Sequence, residues 1–284
     1  MTPAVETVRP DGPLTRANVS EVNVAPTLPP QSDVVINEGA TLSVTNTASD
    51  ADVPTNTLTY TLLVAPGSAS ISTNGIITWA TTEADGPGTN TFKTKVTDNG
   101  SPNLSATNSF TVIVNEVNVA PVVGALGNYT VNPGQTISFT ATATDADLPA
   151  NTLTFALVSP PSGATITGGG LFNWRPTVAQ ANTTNSVKVK VTDNGLPNLS
   201  GTNSFTVIVN PLAPVVLTAL GFTNNNFTLQ VSGTSGPDYI ISASTNLTQW
   251  TDLFTNLSPS TPFSFTDTNA ASFPDRFYRA RLSP

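Results

Sequence analysis

The side chains in this chain with the strongest claim to chemistry are carboxylates. Eighteen acids stand against ten lysines and arginines, and the 284 residues include no histidine and no cysteine. Without imidazole or thiolate the chain lacks the commonest general base and the nitrogen and sulfur ligands that hold zinc, copper or iron. What remains is oxygen, from carboxylates, amides and backbone carbonyls. That is the ligand set a hard cation such as calcium prefers, whereas magnesium demands a tighter octahedron. The candidates are Glu38 and Glu83, then Asn115, Glu116 and Asn118, then Asp145, Asp147 and Asp193. Asp145 and Asp147 are two apart, so an extended backbone puts them on one face. A glycosidase pair drawn from these acids would have to flank a substrate cleft. The pattern predicts none, and no enzymatic activity is expected. Asp, Asn and Pro are also ordinary turn formers, so Asp-Ala-Asp can equally cap a turn through its own backbone.

What could bring these residues together is a duplication. Glu21-Val22-Asn23-Val24-Ala25-Pro26 returns as Glu116 to Pro121, Asp50-Ala51-Asp52 as Asp145-Ala146-Asp147, and Trp79 as Trp174. Thr107 to Asn115 recurs letter for letter as Thr202 to Asn210, always at an offset of 95 residues. A fixed period without insertions is the mark of tandem modules. It divides the chain into a leader (1–20), a first repeat (21–115), a second (116–210) and a remainder (211–284).

Each repeat reads as strands. Short alternating runs at Thr41 to Val44, Thr57 to Leu63, Ile76 to Trp79, Phe92 to Val96 and Phe110 to Val114 are rich in Thr, Val, Ile and Phe, which suit a pleated, half-buried surface. Helical periodicity is absent. About seven strands per repeat, with turns such as Pro66-Gly67 and a tight Asp98-Asn99-Gly100 hairpin, predict an antiparallel Greek-key sandwich. Trp79 and Trp174 end matching apolar runs and are read as core or sheet-edge aromatics. Lys93, Lys95, Lys188 and Lys190 alternate along their strands and should face solvent. The remainder shows further strand-like runs, among them Phe227 to Val231, Tyr239 to Ala243 and Phe277 to Leu282, and reads as a small β-rich C-terminal module. The fold class is therefore all-β: two tandem sandwiches followed by a β module, arranged end to end as an elongated rod because Pro121 stiffens a short connector.

In an end-to-end arrangement the loops carrying Asp145, Asp147 and Asp193 and the connector Asn115 to Asn118 converge on the base of the first repeat, where Glu38 and Glu83 lie. The copies differ there. Glu38 corresponds to Pro133 and Glu83 to Val178, so the second repeat has no acids for a following site. One metal-stiffened connector is predicted, around Glu116, with Ca2+ as its cofactor.

The acidic balance, formally -8, repels phosphate backbones, and no basic patch offsets it, so nucleic acid is not an expected partner. No apolar run is long enough to span a bilayer. Residues 2–6 lack the basic start and apolar stretch of a signal peptide, which reads as a mature fragment or an expression boundary. Val5 to Val8 in the leader could add to an open sheet edge of a neighbouring copy, which would make the chain a filament subunit. Asn18, Asn103, Asn128 and Asn198 head glycan-acceptor triplets that matter only in a glycosylating compartment.

These residues carry a resemblance. Asp145-Ala146-Asp147, Thr192-Asp193-Asn194-Gly195 and the connector Asn115 to Pro121 resemble the Asp-x-Asp, the Thr-Asp-x-Gly and the Asp-x-Asn-Asp-Asn-x-Pro linker of cadherin-like and Ig-like modules of bacterial surface proteins. The likeness covers about 190 residues. It departs from the family at Asn115 and Asn118, where the linker usually has calcium-bridging aspartates, and at Val117 and Val119. It implies an extracellular or cell-surface protein segment for adhesion or spacing, partnered by neighbouring modules or copies of itself, with calcium stiffening the connector. The tail, with Tyr239 to Trp250 and Arg276-Phe277-Tyr278-Arg279, looks like C-terminal modules of large secreted proteins from the Verrucomicrobia and Planctomycetes. The alternative function is carbohydrate binding by that tail, a surface glycan stacking on Trp250, Tyr239 or Tyr278.

Overall fold

A computed structural model describes residues 22–283, together with the backbone of Val5–Glu6 and Arg16–Ala17. Those two short strands pair antiparallel with each other. The expectation of an exchanged strand in residues 1–20 otherwise lies outside the described residues, as does Glu21.

The chain forms two compact units. One comprises the first repeat through Val117, with Asp147–Pro149; the other comprises Asn118–Ala146 and Ala150 onward.

In the first repeat seven strands make two sheets. One orders Val34–Asn37, Ser105–Asn115, Gly88–Thr97 and Thr59–Val64; the other orders Thr41–Thr45, Ile76–Ala80 and Ser70–Ile71. Consecutive strands Val34–Asn37 and Thr41–Thr45 fall in different sheets, so the chain crosses the sandwich as a Greek key does. Alternation explains the core: Phe92, Phe110, Val112 and Val114 point inward to meet Leu42, Ile77 and Trp79, all nearly fully buried. Trp79 is a core residue, as its position suggested, and its indole N–H donates to Ser68 Oγ at 3.0 Å.

The second repeat repeats this plan. Tyr129–Val131, Ser200–Val209, Thr183–Thr192 and Thr154–Val158 form the larger sheet, and Ile137–Thr140, Leu171–Trp174 and Thr165–Ile166 the smaller. Its core exchanges volume at matched positions: Phe172 stands where the first copy has Ile77, and Val187 where it has Phe92. Such swaps keep a core filled.

The terminal module is a second kind of sandwich. Val216–Thr223, Asn226–Ser232 and Phe263–Asp267 face Asp238–Ser244, flanked by Thr251–Asn256 and Phe277–Ser283, around Leu229, Val231, Tyr239 and Ile241. This corrects part of the stacking expectation. Tyr239 has no exposed surface, and Tyr278 stacks on Phe227 at 5.1 Å.

Within the second unit the terminal module is locked to the second repeat. Arg175 donates through Nε to Gly134 O (2.7 Å) and through Nη2 to Asp238 Oδ1 and Ser258 Oγ (2.8 Å each). Gly134, at φ +77°, sits so close that an added Cβ would lie 2.3 Å from Gly236 O.

The expected tight hairpin at Asn99-Gly100 is not formed. Neither residue adopts a positive φ. Residues 98–104 make a wider loop in which the Asp98 carboxylate accepts from the N–H groups of Gly100 (3.0 Å) and Leu104 (2.9 Å). Gly100 is needed because a Cβ there would collide with the Asn23 side chain at 1.7 Å.

Candidate metal centre

Parallel pairing of the first and last strands of the first repeat builds the site. Val34–Asn37 runs alongside Ser105–Asn115 in register Asn37 to Asn115. The next residue on each, Glu38 and Glu116, therefore leaves the sheet at the same end. Ile76–Ala80 reaches that end too, because Ala80 pairs with Thr41. A short 3-10 turn follows at Glu83–Asp85, closed by Asp85 Oδ2 accepting from Thr82 N and Thr82 Oγ1 at 2.8 Å each. Glu83 opens that turn.

The three glutamates converge. One carboxylate oxygen from each of Glu38, Glu83 and Glu116 lies within 4.8 Å of the others. Two are oriented by backbone donors: Val117 N–H bonds Glu38 Oε1 at 2.8 Å, and Leu148 N–H bonds Glu83 Oε1 at 2.9 Å. Glu38 Oε2 and both oxygens of Glu116 are buried without a hydrogen-bonding partner. Glu38 is only 9% exposed. Buried carboxylate oxygens ordinarily find donors, and like charges at this spacing repel by on the order of 3 kcal/mol per pair before solvent screening. Burial, followed by the charges of Glu38, Glu83 and Asp147, raises the Glu116 pKa to about 7. The two oxygens of Glu116 thus need a proton or a cation. An all-oxygen, multiply anionic set with orphaned acceptors fits calcium.

Of the remaining expected ligands, Asp147 is buried and close enough to act on Glu116. Asn115 donates its side-chain amide to Asn37 Oδ1 at 3.5 Å, while its carbonyl accepts Glu38 N–H at 3.0 Å. Asn118, Asp145 and Asp193 belong to the second unit. There Asp193 holds its own loop by accepting from Gly195 N (3.1 Å) and Leu199 N (2.9 Å). Burial alone would push its pKa up, but these bonds and the neighbouring Asn118 amide outweigh that and lower it. Asp98 in the first repeat behaves alike, with burial outweighed by Leu104 N–H, the Asn23 amide and Gly100 N–H.

One member of the site was missed. A Cβ on Gly86 would lie 2.4 Å from Glu38 Oε2, so only glycine leaves that oxygen its space. The signal is in the repeat: Glu38 with Gly86 becomes Pro133 with Ala181, a paired exchange. Arg175, which replaces Ala80 of the first copy, was likewise passed over.

Two successive sandwiches of this topology define a tandem Ig-like protein. The chain belongs to the bacterial Ig domain family, whose profile matches residues 23–115 and again 118–210. No curated protein matches the sequence. Solved structures to which the chain is similar include extracellular cadherin domains 3–6 of protocadherin gamma B2 (21% identity, 70% of this chain and 55% of that one, TM-score 0.43). Others are Drosophila N-cadherin EC1–4 (19%, 70% and 52%, 0.45) and mouse cadherin-23 EC22–24 (17%, 78% and 83%, 0.46). The chain spans about half the length of the first two. Tandem domains of this type fit an extracellular structural or adhesive module. No helix among the described residues is long and apolar enough to cross a membrane.

Proposed function

We propose that the chain is a modular spacer of an extracellular bacterial protein in which calcium, held by Glu38, Glu83 and Glu116, fixes the segment leaving the first repeat. The observation that carries this reading is the pair of buried, partnerless oxygens on Glu116 facing two further carboxylates. Glu38 and Glu83 are anchored to the sandwich, whereas Glu116 begins the connector. A cation shared by the three ties the connector to the sandwich and removes the repulsion that otherwise loosens it. Calcium supplies charge neutralisation and oxygen coordination and no reaction chemistry.

Limited proteolysis of the full chain tests the proposal. Calcium should protect residues 115–121 from cleavage in the wild type and fail to do so in Glu38→Gln/Glu116→Gln. Equal cleavage with calcium and with EDTA in the wild type contradicts it.

A further inference from the structure

A cleft of about 480 Å³ opens among the loops of the terminal module, a size that holds small ligands. Thr245 and Gln249 form one wall, on the loop after Asp238–Ser244. Asn269, Ser272, Phe273 and Arg276 form the other, on the segment before Phe277–Ser283. Both walls are fixed from behind. Asn246 Oδ1 accepts from Thr248 N (3.1 Å) and Gln249 N (2.9 Å), and the Trp250 indole N–H donates to Leu247 O at 3.1 Å. On the other side Asp267, 5% exposed, accepts from Asn269 N and Tyr278 Oη, each at 3.0 Å, and from Arg276 Nε. The Arg276 guanidinium in turn lies 4.1 Å from the centre of the Phe273 ring.

We infer that this cleft is a saccharide-binding site. Its lining mixes amides and hydroxyls, which both donate and accept, with one partly exposed aromatic ring, Phe273, at 39% exposure. Sugar rings match that pairing, with hydroxyls around an apolar face. Arg276 bonds Asp267 through Nε and also bonds Tyr278; a guanidinium has five N–H donors and no acceptor, so the donors left over can receive an oxygen of the sugar. A phosphate ligand is not matched, because Arg276 is the cleft's single cation and Asp267 already balances it. The expected platform Trp250 is not among the residues that line this cleft.

The test is calorimetric titration of the full chain with oligosaccharides of cellulose, xylan and chitin and with oligogalacturonate. The last separates a uronate from a neutral sugar as the oxygen donor to Arg276. At least one probe should bind with Kd in the range of about 0.1–1 mM. Gln249→Ala should weaken it about fivefold and Phe273→Ala about tenfold. Gln249 is on the surface, so its variant should melt with the wild type and keeps the test valid if Phe273→Ala misfolds. Binding by no probe, or binding that Gln249→Ala leaves unchanged, overturns the assignment.

Discussion

Replacing Glu116 by glutamine should stabilise the first repeat when cations are removed and weaken its response when calcium is present. The substitution keeps the shape and deletes one charge from three that approach within 4.8 Å. Two pairwise repulsions of on the order of 3 kcal/mol each at an effective dielectric near 20 are removed. Glu116 is only partly withdrawn from water, so screening cuts the net gain to about 1 kcal/mol. For a domain of this size that raises Tm by about 4–8 °C. The assay is scanning calorimetry of the full chain at pH 8 in EDTA, following the transition that responds to calcium. The same substitution should give little gain at pH 5, where the Glu116 carboxyl, with its pKa near 7, is already protonated. In calcium at a hundredfold excess over Kd, linkage raises wild-type stability by about 2.7 kcal/mol, and the variant should lose most of that. A destabilised variant in EDTA at pH 8 would refute the reasoning, because it would mean the Glu116 charge is compensated within the protein.

The wild type alone should show the pH dependence. A folded-state pKa raised to about 7 from an ordinary 4.5 makes the contribution of Glu116 full below about pH 4.5 and lost as pH rises through 7; chemical denaturation in EDTA across that range reads the fall, and calcium should abolish it. Gly86→Ala should reduce calcium affinity with little effect on the second unit, since its Cβ competes with Glu38 Oε2. Arg175→Ala leaves the Asp238 carboxylate, 12% exposed, without its cation, and should cost about 1–3 kcal/mol in denaturant titration of the second unit, independently of calcium. Trp174→Ala should cost about 3–5 kcal/mol in the same assay, as removal of a fully buried indole does.

Much of the fold was written in local pattern. Thr41 to Val44, Ile76 to Trp79 and Phe110 to Val114 are all within observed strands because one face of each is apolar. The strand ends were harder. Gly88–Thr97 starts four residues before the apolar run, since Thr89 to Thr91 pair along Thr111 to Ile113 without contributing large core side chains. Val34–Asn37 went unread, because its parallel pairing with a strand nearly eighty residues on has no local trace. That same pairing is what sets Glu38 beside Glu116. The acids could be nominated from the difference between copies, but not their hydrogen-bonded orientation, nor the need for Gly86. The hairpin at Asn99-Gly100 was misread because the glycine answers to a tertiary contact with Asn23 rather than to its own backbone angles.

Calcium titration calorimetry of the full chain against Glu38→Gln/Glu116→Gln addresses the central claim most directly. Binding to the wild type that the double substitution removes, with the second unit's melting unchanged, is the expected result. No binding heat up to millimolar calcium, or equal binding by both proteins, would contradict a cation site at these glutamates.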